Sequence, residues 1–292
     1  MKIKSLLFVL LLSAPFLLFA QKPIKVIAFG AHPDDCDFRA GGTAILFAQM
    51  GHRVKLVSMT DGSKGHHILT TAQTDSAHKA EMKSVAELIG VEYICLDYPD
   101  GELTPTVDKR LEVIRLICDW EADIVITHRP NDYHPDHRYT SAIVQDAAYM
   151  ISVPRMVPDG KPLLKAPVFL YLPDRFTKPT PFSPDIVIDI TPVAEKKIDI
   201  FDAHPSQVYG WMPWNGGYED KVPEDPADRR QYIDDYFMNR FGDMAYYREA
   251  ALKWYSPEQL ANSRYAEAFE ICEYGHIPTR DEIKQLFPML PR

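Results

Sequence analysis

The sequence predicts a doubly wound α/β domain on a mostly parallel sheet, and three observations predict it. Short apolar runs alternate with helical stretches four times between Ile24 and Met150. The runs are nearly continuous in apolar residues, as expected of strands covered on both faces. With 292 residues, 46% of them apolar and 25% charged, the chain has the length and ordinary globular composition to bury such a sheet.

The first run, Ile24–Phe29, leads into a helical stretch at about Phe38–Met50, and Val54–Met59 into one at about Asp75–Ile89. Tyr93–Leu96 precedes a helix at about Val107–Trp120, and Ile124–Thr127 one at about Asp136–Met150. Val168–Leu172 and Ile186–Ile190 offer two more strands, with Pro192–Ala203 as a further helix in a Rossmann-like arrangement. After His204 the texture changes: Tyr209, Trp211, Trp214 and Tyr218 stand among glycines and prolines, followed by a charged helical stretch at about Asp228–Tyr255. Such rings either cap a pocket or seal the edge of a sheet. With no repeat, low-complexity tract or linker, the expectation is one domain over 21–292. Its core spans about 24–207, and a helical and aromatic elaboration spans about 208–292.

The N-terminus has a separate reading. Lys2 and Lys4 precede an apolar run from Leu6 to Ala20 broken only by Ser13 and Pro15, the pattern of a secretory signal peptide over residues 1–20. The run is shorter than the about 20 apolar residues of a membrane span, and no later segment qualifies. The expectation is an exported protein whose mature chain has no stable membrane span, with an uncleaved anchor as the alternative. A net charge of -9 argues against a nucleic-acid partner, which would select a basic stripe. Self-association stays open. The four scattered cysteines (Cys36, Cys95, Cys118, Cys272) read as buried thiols rather than a disulfide framework.

Two strings carry the chemistry: Ala31-His32-Pro33-Asp34-Asp35 and His134-Pro135-Asp136-His137. Each follows a predicted strand at its carboxyl end, where ligands collect in a doubly wound sheet. Pro33 and Pro135 suit the first turn of a helix, and residues three apart there share a face. His32 with Asp35, and His134 with His137, can therefore point into one cleft. One such string alone is a helix start with a capping carboxylate; two at equivalent places point to a metal site. Zinc takes imidazole nitrogen and carboxylate oxygen, and a catalytic site uses three protein ligands with a place left for water. The surplus residues match the base and oxyanion donor a hydrolase needs besides its ligands. Cys36 is an additional candidate, since thiolate also binds zinc.

Together the two strings resemble the signature of the LmbE-like, PIG-L-related zinc de-N-acetylases, which remove acetyl from N-acetylglucosamine-type amines. The resemblance extends to Gly41-Gly42, Thr60-Asp61-Gly62, Lys197 and His204-Pro205-Ser206-Gln207, covering roughly Ile24 to Gln207. It implies His32, Asp35 and His137 as zinc ligands and Asp34 as general base. It implies that His134 stabilises the oxyanion or protonates the leaving amine, with Asp136 orienting His134. The expected cofactor is Zn2+, other divalent ions being compatible with the same donors, and the expected substrate is a small molecule or glycan.

The chain departs from the family pattern at two places. Cys36 stands where many relatives have Glu, and His78 where many have an Arg that contacts substrate. Arg39, Arg129 and Lys79 are candidates to replace that Arg. Asp132 reads as a sugar-hydroxyl ligand, a support for His134 or a helix cap. His66 and His67 read as solvent-facing rather than pocket-lining, His204 as structural or pocket wall, and His128 as the end of a strand. The leading expectation is an exported zinc amidohydrolase acting on an N-acetylated sugar. The alternatives are an amidase for another small amide or thiol conjugate, and a sugar-binding module with an idle metal site. A dinucleotide-dependent oxidoreductase is excluded by the absence of Gly-x-Gly-x-x-Gly after the first strand.

Overall fold

The computed structural model describes residues 22–157 and 160–291; the expected signal segment lies outside the described residues. Five strands run parallel: β1 (Lys25–Gly30), β2 (Arg53–Thr60), β3 (Glu92–Tyr98), β4 (Ile124–Thr127) and β5 (Val168–Tyr171). The helices between them are α1 (Asp35–Gln49), α2 (Thr71–Ile89), α3 (Val107–Trp120) and α4 (Pro135–Met150). β6 (Ile186–Asp189) and α5 (Ala194–Asp202) follow. Strand order in the sheet of seven is β3-β2-β1-β4-β5-β7-β6, with β7 (Ala266–Cys272) antiparallel to both of its neighbours.

Alternate strand residues feed two cores, as in a doubly wound sheet. On one face Val26, Leu56, Ile126 and Leu170 pack with Phe38, Val85, Phe201 and Phe237. On the other, Ile27, Val57, Val125 and Phe169 pack with Ile114, Ile117, Ile143 and Val144. The capping of α2 fits its boundaries: the Thr70 side chain accepts from the Gln73 amide in a capping box, and Gly90 ends the helix with φ +74°.

Several expectations need adjustment. α1 begins at Asp35 rather than near Phe38, so the second acid of the first string is itself the first helical residue. β7 was not anticipated, because Glu267 and Glu270 break its apolar pattern. Glu267 is buried, pairs with Lys197 of α5 at 2.9 Å, and accepts the α1 amides of Gly42 (2.9 Å) and Thr43 (2.7 Å). The charged stretch at Asp228–Tyr255 is not one helix. After α6 (Met212–Gly216) it divides into α7 (Arg229–Ile233), a wide π turn at Asp234–Met238, α8 (Asn239–Gly242) and α9 (Met244–Ala251). α10 (Arg280–Leu286) closes the described chain.

Candidate metal centre

Connections leave β1 and β4, neighbours in the sheet, in opposite directions along it, so a crevice opens at their carboxyl ends. Both His-Pro-Asp strings line it. After β1 the chain turns within 32–35, and Asp35 Oδ2 accepts the amides of Ala31 (3.1 Å) and His32 (2.9 Å), fixing its carboxylate. After β4, His134 is the N-cap of α4 with Pro135 next in line, where a missing amide hydrogen costs nothing.

Three donor atoms form a nearly equilateral triangle. His32 Nδ1 lies 3.2 Å from His137 Nε2 and 3.4 Å from Asp35 Oδ2, and His137 Nε2 lies 3.3 Å from Asp35 Oδ2. Tetrahedral metal–ligand bonds of about 2.0–2.1 Å would separate ligand atoms by about 3.3 Å. The donor set, two imidazoles and a carboxylate, and its spacing therefore fit a divalent ion.

The far nitrogen of each ring is also engaged. His32 Nε2 faces Asp100 Oδ1 at 3.3 Å and Asp136 Oδ2 at 3.5 Å, and His137 Nδ1 faces Asp132 Oδ1 at 3.0 Å. Carboxylates so placed fix the tautomer and aim of a ligating histidine. His128 is buried beneath the site. Its ring stacks on His137 with centroids 4.0 Å apart, and its Nε2 accepts the Ala31 amide at 3.1 Å. Burial, then the charge of His137, lowers the His128 pKa to about 4, which keeps it neutral.

Asp34 and His134 border the same cavity, of about 500 Å³. Among the described residues nothing hydrogen-bonds to the Asp34 carboxylate, and burial followed by the Asp35 charge pushes its pKa up. His134 Nδ1 accepts the Asp136 amide at 3.2 Å. In the neutral ring this assigns the proton to Nε2, the nitrogen left to donate.

The remaining candidates separate clearly. The Asp136 carboxylate does not reach His134 as expected. It accepts the amides of Gly101 (2.7 Å) and Leu103 (3.2 Å), and Asp136 contacts the His134 ring through its backbone amide alone. Asp132 supports the His137 ring, and its contact with His134 is to the backbone amide, at 3.1 Å. Arg39 lines the cavity and donates to the Pro173 carbonyl. Arg129 is buried and consumed by Asp174 (3.0 Å) and Glu270 (3.2 Å), so it holds loops together and does not face substrate. Lys79 pairs with Asp75 and Asp97 at the surface, away from the cavity. Cys36 points its thiol at the Val57 carbonyl in the core. His66 and His67 stack on each other and His67 on Trp214, with neither lining the cavity, whereas Trp211 forms part of its wall.

His78, in place of the family Arg, meets Gln207 at 2.8 Å and the Asp61 carbonyl at 3.2 Å, and lines the cavity with His204. Sequence reasoning passed over Asp100, Arg240 and Phe241. Asp100 had a usable signal, an Asp-Gly turn at the carboxyl end of β3; the other two had none.

Fold and crevice together define an α/β protein with a His/Asp cluster that could hold a metal ion at the switch point of its sheet. The chain belongs to the PIG-L family, described as GlcNAc-PI de-N-acetylase, which residues 27–148 match. It is 30% identical over 199 residues to diacetylchitobiose deacetylase of Thermococcus kodakarensis, covering 63% of this chain and 70% of that one. It is 27% identical over 202 residues to 4-oxalmesaconate hydratase of Pseudomonas putida, covering 65% and 76%. Its fold matches N,N'-diacetylchitobiose deacetylase from Pyrococcus horikoshii with TM-score 0.66, 23% identity and 89% of each chain covered.

Proposed function

We propose that the protein is an exported, zinc-dependent amidohydrolase that removes acetyl from an N-acetylated sugar of the N-acetylglucosamine type. The observation that carries this reading is the division of labour in the crevice. Three donors face one point, while an unpaired carboxylate and an N–H donor stand beside them. The relatives acting on acetylated chitobiose favour the sugar, and the apolar run Leu6–Ala20 after Lys2 and Lys4 favours export.

His32 Nδ1, Asp35 Oδ2 and His137 Nε2 would hold the ion, which supplies acidification of a water and polarisation of the amide carbonyl. Asp34 takes a proton from the water, whose oxygen attacks the carbonyl carbon. His134 Nε2–H donates to the carbonyl oxygen as it gains charge. With Nδ1 already accepting a backbone amide, His134 fits this neutral donor role better than that of proton source to the amine. Asp34 returns its proton to the nitrogen as the C–N bond breaks, giving a free amine and acetic acid, which loses the water's second proton to the solvent as acetate.

The hydratase relative supports a second reading, addition of water to a carbon–carbon double bond by the same base and metal. One assay separates them. Metal-loaded protein incubated with N-acetylglucosamine and N,N'-diacetylchitobiose is expected to release amine and acetate in equal amounts, and to stop on chelation. Hydration of 4-oxalmesaconate without amine release from any acetylated sugar would overturn the deacetylase reading.

A further inference from the structure

A second cleft opens beside the metal cavity and shares a wall with it. Arg39, Tyr133, Arg240 and Phe241 line both spaces, and Arg175 and Tyr247 line only the second. The guanidiniums of Arg39 and Arg240 lie 5.8 Å and 5.4 Å from the Phe241 ring centre, and Arg175 donates to the Arg240 carbonyl at 3.2 Å. Three cations thus surround one junction in a chain of net charge -9.

Two of these cations, Arg175 and Arg240, are not neutralised locally. Among the described residues neither Arg175 nor Arg240 has a carboxylate within salt-bridge distance, and Arg39 has only Asp35, at 4.0 Å. The cleft's own acids are engaged elsewhere: Asp174 with Arg129 at 3.0 Å, Asp132 with His137 at 3.0 Å. Guanidiniums without a partner beside an aromatic ring favour a planar or tetrahedral oxyanion on a ligand that also offers an apolar face.

We infer that this cleft binds an anionic group of the substrate, a carboxylate or sulfate on the part of the molecule next to the N-acetylated sugar. The inference rests on the de-N-acetylase reading and makes the substrate acidic. Arg39 and Arg240 span the boundary, while Arg175 faces the distal group alone.

The test compares neutral N,N'-diacetylchitobiose, a disaccharide of glucuronate with N-acetylglucosamine, and a sulfated N-acetylglucosamine disaccharide. Since a hydrogen bond to a charged group is worth more than a tenfold change, at least one anionic compound is expected to exceed the neutral one about tenfold or more in kcat/KM. In the double variant Arg175→Gln, Arg240→Gln that ratio falls to about one, mostly through KM; the two anionic arms distinguish carboxylate from sulfate. Equal kcat/KM for charged and neutral compounds, or a ratio unchanged in the double variant, overturns the inference. Amine release from none of them overturns the de-N-acetylase reading instead. The cleft is then judged by calorimetric titration of the metal-loaded protein with the same compounds. Charge-selective binding that the double variant loses supports the cleft, and its absence refutes it.

Discussion

Each of the two rings proposed to hold the ion is aimed by a carboxylate on its far side, Asp100 and Asp136 for His32, and Asp132 for His137. Such outer contacts are worth 10–100-fold in metal affinity. Replacing Asp132 by Asn, which removes the negative charge 3.0 Å from His137 Nδ1, is therefore expected to weaken the ion about 10–100-fold, read by competition with a chelator at unchanged circular dichroism. An affinity equal to that of the parent would mean that Asp132 serves only to hold the His134 amide. At this scale the sequence was legible where the chemistry is local. His32, Asp34, Asp35, His134 and His137 stand in two short strings and meet in the crevice. The supporting groups were less legible: Asp100 comes from the turn after β3 with only its Asp-Gly pair as a signal, and His128, the residue after β4, stands outside the second string with no metal-binding pattern of its own.

Three helices meet behind the cavity through buried charge. His204, just beyond α5, places Nε2 2.6 Å from Asp37 of α1 and Nδ1 3.7 Å from Glu81 of α2, the latter too long for a hydrogen bond but close for charge. Burial alone would lower the His204 pKa; the Asp37 charge and hydrogen bond, with Glu81, outweigh it and push the pKa up to about 10. A group raised in the folded state contributes its stability fully below its unfolded pKa of about 6.5 and loses it as pH rises through the folded value. Urea unfolding is thus expected to show stability falling between about pH 6.5 and 10, a slope that His204→Gln abolishes. A parallel slope in both proteins would place the proton elsewhere. Strand and helix identity through α5 was legible because the period of apolar residues changes cleanly. β7 was not, since Glu267 satisfies a buried lysine and two helix amides, a tertiary demand that reads locally as a polar tail.

Across the whole molecule, the order of the sheet is what makes the site. β1 and β4 are adjacent although about a hundred residues separate their strings, and only the reversal of strand order between them brings the two together. The C-terminal elaboration completes the enclosure. Trp211 and Met212 wall one side of the cavity and Phe241 another, while Tyr209 and Tyr218 pack on Tyr232 and Tyr236 instead. The aromatic segment therefore both caps the pocket and seals its own underside, two roles that composition could not apportion. The central claim is that the two strings divide between holding an ion and moving a proton. The measurement that tests it most directly is bound zinc per chain and amine-release rate on the same preparations of Asp34→Ala and His137→Ala. Asp34→Ala is predicted to keep the parent's zinc and lose about 10²–10⁴-fold in rate, as expected for a general base, while His137→Ala loses the zinc itself. An Asp34→Ala protein that turns over normally, or that loses its metal as His137→Ala does, would contradict the account.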